Sequence, residues 1–171
     1  MGNLISIAIV GKSSEKLAQI LQLEPSALEE SDLAIFIVSA NDGIVKANID
    51  KWATARELYI PSIVLVSETE ESDLDFDDMT AIASKILDPV AVQYLVLHSD
   101  DGKPVALIDL LSLQIFDYSA PNTTAPIVKK GENEHRDLIG EYQQEYFERI
   151  EEAGQDAFEN GLLFPALPWV D

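Results

Sequence analysis

The stretch LAIFIVSANDG, residues 33–43, joins an unbroken apolar run to a small polar turn. Its apolar residues do not alternate with polar ones, which is the pattern of a strand covered on both faces in a parallel sheet. Two further runs, Leu4–Val10 and Ile60–Val66, share that character. Between the first two lies SSEKLAQILQL, with Leu17, Ile20 and Leu21 on one helical face and Ser13 or Ser14 placed as a cap. Between the second and third, Val45, Ile49, Trp52, Arg56 and Tyr59 recur at helical spacing. Strand, helix, strand, helix, strand with right-handed crossovers predicts a doubly wound, mainly parallel α/β sheet.

The third strand runs into PSIVLVSETEES, residues 61–72, and so ends on Glu68, Glu70 and Glu71. Ligands usually sit beyond the carboxyl ends of such strands, which makes three glutamates there a question. Asp75–Leu87 is predicted as a helix with Phe76, Met79, Ile82 and Ile86 inward. The character then changes: VQYLVLH, VALIDLL and SLQIFDY spell a short antiparallel meander, with Asp101-Gly102 as the hairpin signal. Residues 119–133, rich in Pro, Asn and Thr, are predicted as a mobile loop. From Glu134 to about Glu152 the pattern is an amphipathic helix with Ile139, Tyr142, Tyr146, Ile150 and Ala153 on one face, which Gly154 ends. LLFPALPWV is a last strand broken by Pro165.

Composition narrows the function classes. With 171 residues, 47% of them hydrophobic, the chain suits one domain, here taken as 1–171 with a small α+β insert at about 90–158. A formal net charge of −20, from 31 acidic and 11 basic residues, disfavours direct nucleic-acid binding. The same charge would steer a basic protein partner toward the surface. Cysteine is absent, so disulfides and thiolate metal sites are excluded and a reducing, cytoplasmic setting fits. No apolar run approaches a membrane span, and MGNLISIAIVGKS reads as a first strand rather than a signal peptide or, through Gly2, a myristoylation signal.

Metal and hydrolase chemistry find little support. The acidic run Glu68, Glu70, Glu71, Asp73, Asp75, Asp77, Asp78 lacks the glycine of an EF-hand loop, and acids there suit a helix start. His98 and His135 have no partner at metal-ligand spacing, so no metal and no cofactor are expected. Neither G-x-S-x-G nor H-E-x-x-H occurs.

From Ser31 to Phe76 the chain resembles the G domain of translational GTPases, elongation factor G most of all. That family's strand ends in SAxDG and opens a helix that carries a Trp and ends near an aromatic-x-Pro; the matching residues are Ser39, Ala40, Asp42, Gly43, Trp52, Tyr59 and Pro61. The passage DPVAVQYLVLHSDDGKPVALIDLLSLQIFDY is similar to the one opening the family's G′ insert. EHRDLIGEYQQEYFERIEEA resembles that insert's long helix, and ENGLLFPALPW the strand that closes the G domain. The resemblance covers most of residues 33–170 and implies a shortened G domain with a G′-like insert.

The departures fall on positions that handle nucleotide. The family's NKxD reads guanine, whereas Ser67, Glu68, Thr69 and Glu70 stand here, without the Asn amide or the Lys. The closing GSA is replaced by Pro168, Trp169 and Val170, and a proline has no N–H to give. A P-loop needs the spacing GxxxxGK[ST], but Ser6 occupies the place of its first glycine and only Gly11 and Lys12 separate strand from helix. The switch strands with their magnesium ligands are missing, since only LEPSALEES links the first helix to the second strand.

The vestigial nucleotide positions are therefore Gly11, Lys12, Ser13, Asp42, Ser67, Glu68 and Glu70, and no catalytic residue is assigned. The resemblance implies a non-catalytic interaction module; the alternative is a residual nucleotide or anion binder at the Gly11-Lys12-Ser13 turn. In the family the insert faces the ribosomal stalk protein, which makes Glu141, Glu145, Glu148 and Glu152 the candidates for a basic partner surface. Loss of the switch strands leaves the first strand as an apolar edge, and Leu4, Ile5, Ile7 and Ile9 are expected to pair it across a two-fold axis in a homodimer.

Overall fold

The computed structural model describes residues 4–121 and 125–169. Gly2 and Val170, both weighed above, lie outside the described residues. Strands β1 (Ile7–Gly11), β2 (Leu33–Ser39) and β3 (Ser62–Ser67) alternate with helices α1 (Ser14–Leu21) and α2 (Lys46–Glu57). Helix α3 (Phe76–Ile86) and strand β4 (Val90–Val92) follow. An insert then comprises β5 (Tyr94–His98), β6 (Pro104–Asp109), β7 (Gln114–Asp117), β8 (Ile127–Lys130) and α4 (Asn133–Ala153), and β9 (Phe164–Pro168) returns to the first sheet. That sheet is parallel throughout, in the order β1-β2-β3-β9-β4; the insert forms a separate antiparallel sheet, β5-β6-β7-β8. The chain is thus an α/β fold with a small antiparallel insert.

Strand register explains which residues are inside. Ala34, Phe36 and Val38 share one face with Ala8 and Val10 on β1, Val64 and Val66 on β3, and Phe164 and Ala166 on β9. Against that face lie Trp52 and Ala55 of α2 and Phe76, Met79 and Ala83 of α3, all buried. Helix α1 crosses the opposite face, where its Lys16 ammonium stands 5.3 Å from the Trp169 ring centre. An Asp75/Asp78 capping box starts α3: the Asp78 N–H donates to Asp75 at 2.8 Å and the Asp75 N–H to Asp78 at 3.2 Å. This uses two carboxylates of the acidic run.

Trp52 ties the layers together. Its ring centre lies 4.9 Å from both Phe36 and Phe164, and its indole N–H donates to Asp88 Oδ2 at 2.7 Å. Asp88 also pairs with Arg56, whose guanidinium sits 4.9 Å over the Phe164 ring. The insert shares this core. Val96 and Leu107 pack into it from one face of the antiparallel sheet, while Leu95, Ala106, Ile108 and Ile115 on the other face meet Ile139 of α4.

Several expectations are corrected. The first strand begins at Ile7; Leu4 and Ile5 precede it, 98% and 67% exposed, so only Ile7 and Ile9 of the proposed pairing edge lie in the sheet. The start of that edge is lined by the chain itself, since the Ser26 N–H donates to the Ile7 carbonyl. Helix α2 buries Asn48, Trp52 and Ala55, whereas Val45 and Tyr59 flank it exposed. In α3, Thr80 and Ala83 are buried and Ile86 is exposed, and in α4 Tyr142 is exposed. Residues 127–130, placed in a loop above, form edge strand β8, where Lys129 and Lys130 discourage further pairing. Residues 122–124 of that loop lie outside the described residues. Val90–Val92 belongs to the main sheet rather than the insert.

Pro165 does not break β9. It pairs with Ala91 of β4, and the register with β3 begins one residue later, at Val64 and Ala166.

Replacing Trp52 with Ala should destabilise the fold by about 3–5 kcal/mol, because a large buried ring is lost. Trp52→Phe should cost only about 1–2 kcal/mol, the ring being kept while the indole bond to Asp88 goes. Urea unfolding of both variants against the parent chain checks this order.

Candidate functional site

Three of the positions read from sequence meet at the carboxyl ends of β1, β2 and β3. Strand β1 runs through Gly11, so only Lys12 and Ser13 separate it from α1. A Cβ on Gly11 would stand 2.3 Å from the Ile37 carbonyl oxygen, and its φ of 117° is one that residues with a side chain rarely adopt. Ser13, also left-handed at φ 64°, makes no side-chain cap. The turn is therefore closely packed against β2, and it throws Lys12 over the strand ends.

The SANDG turn presents the second residue. Ser39 Oγ accepts from the N–H groups of Asn41 and Asp42, both at 3.2 Å, and the Ser39 carbonyl accepts from Gly43 N–H at 2.8 Å. These bonds hold the Asp42 carboxylate 3.0 Å from the Lys12 ammonium. The third is Glu68, left-handed at φ 60°, immediately after β3. Its two carboxylate oxygens lie 2.9 and 3.0 Å from Lys12 Nζ, and it accepts a hydrogen bond from the Ser39 hydroxyl.

The electrostatics follow. The Ser39 hydroxyl, and after it Lys12, hold the Glu68 carboxyl below the usual range. Glu68, then Asp42, hold the Lys12 ammonium above its own. One lysine thus faces two carboxylates of its own chain at the place where an anionic ligand would look for a cation.

Ser67, the register partner of Ser39, lies beside the cluster, whereas Glu70 and the α4 glutamates stand apart. Ser67 is buried, its carbonyl accepting from Ala40 N–H at 2.9 Å. Glu70 is exposed on a 3-10 turn, Thr69–Glu71. Glu141, Glu145, Glu148 and Glu152 are all exposed on α4. Among the described residues, no group of three or more His, Asp and Glu side chains is placed to hold a metal ion. No described helix is long and apolar enough to cross a membrane. Sequence reasoning missed Ser39 as the hub of the site; the signal was its place at the last residue of a buried strand before a tight turn.

Because the Glu68 carboxyl is held below its ordinary value, its stabilising contribution is complete above that value and fades as pH falls through the lowered one. Glu68→Gln should therefore melt below the parent chain at pH 7, with the gap closing toward pH 3. Thermal unfolding across that range checks it.

No family model matches the sequence, and no curated protein matches it. Among solved structures the chain is similar to a protein of Thermus thermophilus known from a crystal structure, with a TM-score of 0.71 and 23% sequence identity. The match covers 83% of this chain and 24% of that one, so the chain spans about a quarter of that protein's length. The likeness is one of fold.

Proposed function

We propose that this chain is a non-catalytic relative of the elongation factor G G domain, a cytoplasmic protein-interaction module that no longer uses nucleotide. The observation that carries this reading is the Lys12–Glu68–Asp42 cluster. A β-phosphate needs a ring of backbone N–H groups and a free lysine. Here a two-residue link stands where that ring would be, and the lysine is engaged by carboxylates. A triphosphate would have to displace Glu68 while entering the field of a chain of net charge −20.

The partner surface in this reading is α4. Its exposed Glu141, Glu145, Glu148 and Glu152 form a negative stripe suited to a basic protein, with the ribosomal stalk protein as the first candidate. Charge at an exposed interface acts mainly on association rate, and so such binding is sensitive to salt.

Calorimetric titration of GDP and GTP, with and without magnesium, should give no heat and no change in melting temperature. Micromolar binding would overturn the reading and favour a residual anion site at Gly11-Lys12-Ser13. With stalk protein, association should weaken by at least about tenfold between 50 and 300 mM salt and in a variant carrying Gln at all four stripe positions, as screening of an exposed charged interface requires. Salt-independent binding, or none, would remove the partner assignment.

A further inference from the structure

We infer that the cleft between α3 and α4 is a binding site for an organic cation with an alkylammonium head. It encloses about 400 Å³, within the range of small-molecule sites, and its floor is apolar, formed by Val90, Ala91 and Leu110. Tyr94, Tyr142 and Tyr146 line it, together with Asp77 from α3 and Glu145 from α4.

Three observations select a cation. Neither Asp77 nor Glu145 has an ion pair among the described residues. Burial, and then the neighbouring charges of Asp75, Asp78 and Glu145, hold the Asp77 carboxyl above its ordinary range, with His98 opposing them. Uncompensated negative charge is thus concentrated at this mouth. The three tyrosines add aromatic rings to the lining, and aromatic rings attract alkylammonium groups.

The cleft's own cation, Arg149, does not fill this role. It also lines the neighbouring hollow beside Arg56 and Asp88, and among the described residues it pairs with Glu152 at 4.0 Å. Arg149 is thus shared between the two hollows, and the cleft lining carries two carboxylates to this one guanidinium. The carboxylates outnumber it, which disfavours an anion. The inference goes beyond the interaction role proposed above and stands whether or not nucleotide binds near Lys12.

The test is a nuclear magnetic resonance titration of the full chain with n-butylammonium, and with butyrate as the same carbon chain carrying the opposite charge. Butylammonium should shift the signals of Ala81, Ala91, Tyr94 and Leu110 along a saturable curve; butyrate should not. The Asp77→Asn/Glu145→Gln double variant, which keeps the shape of both side chains, should weaken binding about tenfold or more, equivalent to about 1.4 kcal/mol. Tyr142→Leu should weaken it through the loss of one ring. Tighter binding of N-acetyl-lysine methylamide than of butylammonium would assign the head to a polypeptide side chain, and the reverse to a free amine. Unsaturable shifts spread over the acidic surface, equal binding of butyrate, or an unchanged double variant would overturn the site.

Discussion

The indole of Trp52 is the point on which the layers close. One side chain from α2 reaches the central strand through Phe36 and the returning strand through Phe164. Its N–H holds Asp88 at the corner between α3 and β4. A buried indole that left its N–H unpaired would carry a desolvation cost, and Asp88 removes it. Asp88 in turn fixes Arg56, which covers Phe164 from outside. The aromatic core and the polar corner are one assembly, so the helix that opens after SANDG is anchored at both ends: at its start by the Ser39 turn and at its finish by Arg56.

That anchoring has an electrostatic result at the strand ends. Parallel α/β sheets tend to gather ligands beyond the carboxyl ends of their strands. Here the turn after β2 and the residue after β3 bring carboxylates to Lys12, and Ser39 orients one of them. The pair is not deeply buried, so its value lies less in stability than in occupancy: the lysine's donors are already spent on the chain's own carboxylates.

Much of this was legible in the sequence, for identifiable reasons. Unalternating apolar runs marked three of the parallel strands, although in β1 and β3 one face is buried and the other only half-buried. Asp101-Gly102 marked the hairpin, where Gly102 adopts φ 81°. The meeting of Lys12, Asp42 and Glu68 followed from three strand ends lying side by side. What stayed hidden depends on pairing between distant segments. Ile127–Lys130 is exposed at every position, so no hydrophobic period marks it, and only its ladder with β7 makes it a strand. Leu4 and Ile5 look like strand residues but lie exposed ahead of β1. Pro165 looked like a break because sequence does not reveal that the ladder to β3 starts after it. The cleft was invisible because its walls come from helices nearly fifty residues apart.

The position of β9 has a consequence for how the molecule is made. It sits between β3 and β4, yet the whole insert must be synthesised before it exists. During translation β3 and β4 emerge with a vacant slot between them, and Trp52 lacks the Phe164 ring that packs against it. The pairing of Val64 with Ala166 spans about a hundred residues, a separation that slows folding because the loop must close before any contact rewards it. The insert packs on the same core through Val96 and Leu107. The main sheet is therefore completed in synthesis at an interior position, between β3 and β4, rather than at an edge.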